Sequence, residues 1–155
     1  MPTKRLLQYL EDSGVHYYTL THAPTVTAQE TAAVAHVPGR EVAKTVIVWM
    51  DGEMAMAVLP AARHIALDLF ADLTGARSVE LATEREFREV FPGCEVGAMP
   101  PFGNLYDMAV FVDEELAEDE EIVFNSGSHT ELIRLSYADF DRLVEPVVLS
   151  FGALV

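Results

Sequence analysis

The chain has 155 residues, half of them hydrophobic, and a mean hydropathy of +0.18. This length and apolar content fit one domain with a proper core and exclude a disordered chain. No apolar run approaches the roughly 20 residues needed to cross a bilayer, and the N-terminal residues lack the pattern of a signal peptide. We therefore expect a cytoplasmic protein, folded as a single domain over residues 1–155, without membrane contact.

The charge balance is strongly acidic. Twenty-five Asp and Glu residues against ten Lys and Arg residues give a formal net charge of −15. Nucleic-acid-binding proteins normally carry a basic footprint, because phosphate contacts supply most of their affinity. The composition therefore argues against DNA binding and against extensive contact with RNA. It is compatible with a short contact to one end of an RNA.

Cysteine and histidine usage argues against a metal site. The single cysteine, Cys94, has no partner for a disulfide or a thiolate site, which fits a reducing compartment. The five histidines show no paired metal-ligand spacing. We expect no metal, and we interpret Cys94 as a packed small residue.

The first half of the chain alternates between helical and extended patterns. Leu6, Leu7 and Leu10 form one stripe of a helix over residues 4–13, with Gly14 placed to cap it. Asp51-Gly52 is a strong hairpin signal. Before the hairpin, the sequence predicts a strand over 16–21 and a capping box at 27–30, which opens a helix that is broken at 38–39. The hairpin strands are predicted over 41–50 and 53–59. A helix over 65–73 follows, which begins near His64 and is ended by Gly75.

The second half predicts short strands joined by turns and short helices. These features are a strand over 78–81, a capping box at 83–86 opening a helix that ends at 91–93, strands over 108–112, 121–124, 131–136 and 147–151, and a helix over 137–144. We interpret the acidic run over 113–121 as a solvated turn or short helix. Because hairpins join the strands as often as helices do, we expect an α+β domain with a mixed, largely antiparallel sheet.

Lys44 is the first candidate for a functional side chain. It lies in an otherwise apolar strand and shares a pleat face with Val42, Val46 and Val48. If that face is the core, the ammonium group loses hydration, so it either finds a partner or its pKa falls below about 10.4. The alternative is an edge-strand lysine that blocks sheet association, or one whose stem packs while its head reaches water.

Residues 97–103 form the second candidate. Two glycines and two prolines exclude regular structure here. A stiff loop of this kind can present backbone amides to a carbonyl or phosphate oxygen, or it can be a rigid connector. The Gly-Lys-Ser/Thr ending of a phosphate-binding P-loop is absent.

Residues 125–129 form the third candidate, because small and polar residues follow the end of a predicted strand. His129 could orient a water or accept a hydrogen bond, and Ser128 could donate one. The alternative is a tight turn in which Asn125 and Gly127 serve the turn geometry.

In this order and spacing, the three segments resemble the YbaK/prolyl-tRNA-synthetase-associated family of aminoacyl-tRNA deacylases. The resemblance covers nearly the whole chain, and it is carried by residues 22–30, 42–48, 58–60, 97–103 and 125–129. It implies a YbaK-like fold with a barrel-like sheet flanked by helices. It also implies a freestanding editing hydrolase that needs no metal or organic cofactor and that clears tRNA carrying a wrongly attached amino acid.

The family's functional positions can be carried over residue by residue. The resemblance implies that Lys44 and His129 act in catalysis, with His129 positioning substrate or water. It implies a substrate-binding set of Gly97, Ala98, Pro101, Phe102, Gly103, Asn125, Gly127 and Ser128. Several members have Gly-Gly where this chain has Gly97-Ala98. The extra methyl could narrow the pocket, so the resemblance leaves open whether alanine, serine, threonine or cysteine is removed.

The acidic charge can be reconciled with this activity if the protein holds only the aminoacylated CCA end, through one to three phosphates. Lys44, Arg40, Arg63 and Arg134 could form a local positive mouth, and an aminoacyl-tRNA synthetase is a plausible partner. Two alternatives stay open: a non-catalytic binding or regulatory module of the same fold, and a hydrolase of small aminoacyl esters.

Overall fold

The computed structural model describes residues 3–23, 32–33 and 41–154. Its helices are α1 (Lys4–Asp12), α2 (Leu67–Thr74), α3 (Glu84–Phe87), α4 (Glu114–Ala117) and α5 (Tyr137–Val144), with a 3-10 turn at Gly103–Leu105. Its strands are β1 (Tyr17–Thr21), β2 (Val42–Met50), β3 (Glu53–Pro60), β4 (Arg63–Ile65), β5 (Val79–Leu81), β6 (Ala109–Asp113), β7 (Glu121–Asn125), β8 (Glu131–Ser136), β9 (Val147–Leu149) and β10 (Gly152–Leu154).

Local signals account for the predicted elements that the structure confirms. The side chain of Thr3 caps α1 by accepting a hydrogen bond from the Leu6 amide, and Leu6 and Leu10 are buried. Asp51 and Gly52 both have positive φ, as the tight turn between β2 and β3 requires. The predicted capping box at 27–30 and the break at 38–39 lie outside the described residues.

The main sheet has the strand order β1-β8-β7-β2-β3-β6-β9, with β5 also paired to β2. The pairs β1–β8, β7–β8, β2–β3 and β2–β5 are antiparallel, whereas β2–β7, β3–β6 and β6–β9 are parallel. This confirms the predicted mixed, largely antiparallel sheet of an α+β fold. The end strands of this path, β1 and β9, are not paired with each other among the described strands.

Side chains alternate along β2 between two faces of the sheet. Ala43 and Ile47 pack into the larger core, together with α1, α5 and the ring of Phe102. Val42, Val46 and Val48 point to the opposite face. There, a second core is built around Phe70, Phe111 and Phe151, and a small cluster forms around Val42, Val123 and Leu132.

The structure corrects one predicted helix start. Residues 63–65 form β4, which pairs with β10, and His64 lies opposite Ala153. His64 is therefore a strand residue. Pairing with a strand from the far end of the chain overrides the local helical pattern, and α2 begins only at Leu67.

The predicted strand over 147–151 is divided into β9 and β10. The buried carboxylate of Asp113 accepts hydrogen bonds from the amides of Phe151 and Gly152, at 3.1 and 2.8 Å. These bonds turn the chain and bring the Phe151 ring into the second core.

The helix predicted after residue 83 is shorter than expected. Its capping box forms between Thr83 and Glu86, but α3 ends at Phe87. The Val90 amide then bonds to the Phe87 carbonyl in a tighter turn, and Pro92 disfavours helical geometry in the residue before it. No helix in the described part of the chain is long and apolar enough to cross a membrane.

The aromatic cluster of the second core supplies a test of the fold. Phe70 is fully buried, and its ring lies 5.1 Å from both Phe111 and Phe151. We expect Phe70→Ala to lower the free energy of unfolding by about 3–5 kcal/mol, measured by urea denaturation, because it removes apolar contacts and leaves a cavity. Leu73→Ala on the same helix is the control, since Leu73 is 44 % exposed. An equal loss in both variants would contradict this packing.

Candidate functional site

Lys44 and Asn125 lie side by side on one face of the sheet. The parallel pairing of β2 with β7 joins Val42 to Val123 and Ala43 to Phe124. Lys44 and Asn125 are the next positions along these strands, so both project from the same face as Val42. Two residues that the sequence predicted for the site, more than 80 positions apart in the chain, therefore stand at the same level of the sheet.

The ammonium group of Lys44 is held in a half-buried position. Its Nζ donates a long hydrogen bond of 3.5 Å to the carbonyl oxygen of Ala61. Burial lowers the pKa of this amine, because removal from water disfavours its charged form. The predicted face of β2 is therefore correct, and the cation retains only a weak internal bond among the described residues.

Strand β2 has an open edge beside Lys44. On the side away from β3, β7 pairs with β2 only as far as Ala43. On the same side, β5 pairs with β2 from Val48, and the Ala82 amide bonds to the Ile47 carbonyl. Residues 44–46 thus have no strand partner on this side within the described ranges. Backbone groups of successive strand residues point to alternate sides, and the Ile47 carbonyl faces this side whereas the Val42 carbonyl faces Ala61 on the β3 side. The N–H and C=O of Thr45 are therefore the backbone groups available to a ligand here.

A cavity of about 220 Å³ opens at this edge. Its lining residues are Thr45, Val46, Ile47, Leu81, Ala82, Glu84, Phe87, Val96, Gly97 and Met99. The hydroxyl of Thr45 is enclosed and has no hydrogen-bond partner among the residues that the structure describes. Lys44 is not a lining residue, because alternation along β2 turns its side chain to the opposite face. The edge therefore separates a small, mainly apolar cavity from a cation.

The predicted loop contributes one backbone donor to this cavity. Gly97 is exposed and has a φ of +86°, a conformation that favours glycine. Its amide faces the sulfur of Met99 at 3.3 Å, and sulfur is a weak acceptor. The Ala98 amide, in contrast, donates to the Glu95 carbonyl at 3.0 Å. The N–H of Gly97 is thus the loop donor that a ligand oxygen could most readily recruit.

The rest of the loop is part of the core. Ala98, Pro101, Phe102 and Gly103 are buried, and the Phe102 ring packs against those of Phe124 and Phe140. A Cβ at Gly103 would lie 2.6 Å from the Met108 carbonyl oxygen. The Ala98 methyl group does not line the cavity. These residues fix the position of Gly97, and their side chains present no surface to the cavity.

The turn between β7 and β8 is bonded directly to the loop. His129 Nε2 lies 2.7 Å from the Val96 carbonyl oxygen, and the Glu95 amide donates to the Gly127 carbonyl at 2.7 Å. Since a carbonyl oxygen only accepts, the proton of this bond is on Nε2, and a neutral ring carries its lone pair on Nδ1. His129 therefore anchors the residue before Gly97.

Contacts within the turn account for Gly127 and Ser128, but not for Asn125. Gly127 has a φ of +113°, and a Cβ there would lie 2.7 Å from the Thr3 side chain. The hydroxyl groups of Ser128 and Thr130 are 3.2 Å apart, so the Ser128 hydroxyl is engaged within the turn. The carbonyl oxygen of the Asn125 side chain, in contrast, is enclosed and has no hydrogen-bond partner in the described part of the chain. Of these three residues, Asn125 retains unused hydrogen-bonding capacity.

Of the four cations predicted to form a positive mouth, the structure describes Lys44, Arg63 and Arg134, and it does not place all three on one surface. Arg63 forms an ion pair with Glu115 in an acidic depression of about 520 Å³, which corrects its assignment to the mouth. Arg134 lies on the same face as Lys44, since it pairs with Val123. Arg40 lies outside the described residues.

Other predicted features do not add to the site. Burial raises the pKa of the Cys94 thiol, which agrees with a packed, unreactive residue. In the described ranges, no group of three or more His, Cys, Asp or Glu side chains is placed to hold a metal ion. A depression of about 750 Å³ lies at the β2–β3 turn, and none of the predicted site residues lines it.

Thr45 is the site residue that the sequence analysis missed. Its signal is a hydroxyl-bearing residue in an apolar strand directly after Lys44. Without the position of the loop, this threonine could not be distinguished from an ordinary strand residue with high β propensity.

The bond between His129 and Val96 can be tested without any ligand. We expect His129→Ala to lower the free energy of unfolding by about 1 kcal/mol and to speed amide hydrogen exchange at residues 95–98, leaving α5 unchanged. His129→Gln is the control, because its side-chain amide can still donate to the carbonyl. Unchanged exchange at residues 95–98 in the alanine variant would show that the ring does not hold the loop.

Three comparisons place the chain among known proteins. It is 26% identical to the multifunctional Ser/Thr-tRNA deacylase ProXp-y of Escherichia coli K12, over 96% of this chain and 91% of that protein. It is 34% identical to a proline–tRNA ligase of Nitratidesulfovibrio vulgaris, over 60% of this chain and 16% of that protein.

Solved structures show the same fold. The hypothetical protein APE2540 superposes with a TM-score of 0.85 at 24% identity, covering 97% of this chain and all of that one. A candidate trans-editing enzyme for prolyl-tRNA synthetase superposes with a TM-score of 0.82 at 22% identity, covering 97% and 96%. The family described as the aminoacyl-tRNA editing domain matches residues 22–143. The chain therefore belongs to the aminoacyl-tRNA editing domain family.

Proposed function

We propose that this protein is a trans-editing deacylase, which hydrolyses the ester between a small, wrongly attached amino acid and the 3′ end of its tRNA. The observation that carries this proposal is the open edge of β2, with Lys44 on one face, a small cavity on the other and the Gly97 amide beside it. Family membership and the deacylase relative support the reaction type.

In this proposal, the ester lies across the open edge. The amino-acid side chain enters the cavity, and the terminal ribose and phosphate lie towards Lys44. A cavity of about 220 Å³ is smaller than the roughly 300–1,000 Å³ of sites for larger ligands, which favours a small side chain. The enclosed hydroxyl of Thr45 favours a substrate with a hydroxyl of its own, so serine and threonine are preferred over alanine and cysteine.

The chemistry requires only water and positioned polar groups. A water oxygen attacks the ester carbonyl carbon, and negative charge develops on the carbonyl oxygen. The Gly97 amide and the Lys44 ammonium stabilise that charge. The bond to the ribose oxygen then breaks, this oxygen takes up the proton that the attacking water has lost, and free amino acid and tRNA result. His129 holds the loop and thereby the Gly97 donor, which makes it a positioning residue.

The protein holds few phosphates in this proposal. Its acidic body disfavours a long contact with RNA, so binding is confined to the CCA end and is weak, with a shallow dependence on salt. A partner that presents the charged tRNA, such as an aminoacyl-tRNA synthetase, would compensate for this weakness. The relation to a proline–tRNA ligase supports prolyl-tRNA synthetase as the first partner to test.

The direct test is a deacylation panel with tRNA charged with serine, threonine, alanine or cysteine. We expect Lys44→Ala to lower kcat/KM at least about 100-fold, because it removes the cation nearest the reacting ester, while the thermal midpoint stays at or above the wild-type value. The matched control is Lys4→Ala, which removes an exposed lysine of α1.

Each other outcome has a distinct meaning. Full activity of Lys44→Ala would remove this lysine from the mechanism. No wild-type turnover of any charged tRNA would favour a non-catalytic module. Equal turnover of charged tRNA and of the matching aminoacyl-adenosine would favour a hydrolase of small aminoacyl esters.

Thr45 provides a test of specificity. Thr45→Val keeps the shape of the side chain and removes the enclosed hydroxyl of a residue that lines the cavity. We expect kcat/KM for seryl-tRNA to fall roughly 10- to 100-fold while that for alanyl-tRNA changes less than about threefold. Thr45→Ser restores the hydroxyl and should restore seryl-tRNA turnover. Parallel losses on both substrates would rule out a role in selection.

A further inference from the structure

Two rows of residues on the Lys44 side of the sheet carry an unusual set of charges. One row consists of Tyr18, Arg134, Val123 and Val42, and the next of Leu20, Leu132, Asn125, Lys44 and Leu59. We call these nine residues the cationic face. Val42, Val123, Leu132 and Leu59 are buried in it, the first three in one cluster with Ala32 and Ala61. The members with surface open to a ligand are Tyr18, Leu20, Arg134, Asn125 and Lys44. The cationic face contains two cations and no carboxylate, although the chain has 25 acidic and ten basic residues. On this side of β7, the first carboxylate is Glu121, one row further along.

Arg134 projects from the middle of this face. It lies on β8 between Tyr18 of β1 and Val123 of β7, and its neighbours in the two rows are mainly apolar. Its Nε is enclosed by protein and has no hydrogen-bond partner within the described ranges of the chain. Arg134 as a whole is half-buried, and a half-buried guanidinium is costly unless an anionic group compensates its charge.

Tyr18 stands beside Arg134 and is open to solvent. Its side chain is 65 % exposed. An exposed aromatic ring next to a guanidinium is the usual combination for single-stranded nucleic acid, in which the ring stacks on a base and the cation contacts the phosphate. The cationic face therefore favours an RNA end over an acidic peptide or a free phosphate.

We propose that Arg134 and Tyr18 bind the single-stranded 3′ end of the RNA, with Arg134 on a backbone phosphate and Tyr18 stacked on a base. This inference rests on the proposed function and extends it from the ester to the preceding nucleotides. Arg134 and Tyr18 are binding residues and take no part in the chemical step.

The spacing on the sheet supports binding of one RNA segment by both Arg134 and Lys44. Arg134 lies two strands away from Lys44 across the sheet and is offset from it by two residues along the strand direction. This places their Cα atoms roughly 12 Å apart. Two long side chains projecting from one face can reach the same or adjacent phosphates across this separation. The surrounding acidic surface then limits the contact to this one patch.

The test measures binding separately from hydrolysis. A fluorescently labelled single-stranded RNA ending in CCA is titrated at a series of salt concentrations, and binding is followed by anisotropy. Arg134→Met keeps an unbranched apolar stem and removes the charge. We expect roughly three- to tenfold weaker binding at low salt and a salt slope reduced by about 0.7, the contribution of one phosphate contact.

Three further variants make the result specific. Arg134→Lys retains a charge, so it should keep the salt slope even if Arg134→Met folds poorly. Tyr18→Leu should weaken binding roughly tenfold without changing the slope, since stacking does not release counterions. Arg77→Met, at an exposed arginine whose amide bonds to Asp51 beside the β2–β3 turn, should change neither quantity.

The outcomes separate this inference from the proposed function. An unchanged slope in folded Arg134→Met, or an equal reduction in Arg77→Met, would overturn the inference even if seryl-tRNA is hydrolysed normally. A reduced slope confined to Arg134→Met would support it even if no charged tRNA is hydrolysed, in which case the proposed function fails alone.

Discussion

The interruption in the pairing of β2 is the constraint on which the rest of the site depends. A strand inside a sheet normally has partners on both sides, because unpaired backbone groups are costly when they are buried. Here β7 leaves β2 after Ala43, and the next bond on that side is from the Ala82 amide to the Ile47 carbonyl, so the three residues 44–46 face a gap among the described residues. The segment around Gly97 borders that gap without forming a strand, since its glycine and prolines do not support a ladder. A cavity is left where a continuous sheet would have none.

Much of the architecture is readable from local signals, because the responsible residues act over a few positions. The alternation along β2 predicts the face of Lys44, Asp51-Gly52 predicts the hairpin, and the capping residues predict where helices begin. The pairing of β4 with β10 could not be predicted in this way. It joins distant segments, and a three-residue strand carries too little periodicity to be distinguished from a helix start.

The site was predictable as a set of segments, whereas the role of each residue within them was not. A stretch with glycine and proline has the same sequence pattern whether it faces a ligand or packs into a core. In this loop, Gly97 lines the cavity and Phe102 and Gly103 fill the interior. The bond from His129 to Val96 is equally invisible in sequence, since it depends on where two loops meet. Thr45 became visible only once the cavity beside it was known.

The packing of Gly127 against Thr3 has a consequence for how the molecule folds. The Thr3 amide donates to the Ser126 carbonyl, so the start of the first helix and the turn that carries His129 support each other from opposite ends of the sequence. Contacts between such distant segments cannot form until nearly all of the chain has left the ribosome, and they incur the largest loop-closure entropy. The hairpin of β2 and β3 can form early from neighbouring residues. We therefore expect the Gly97 donor to reach its final position late in folding.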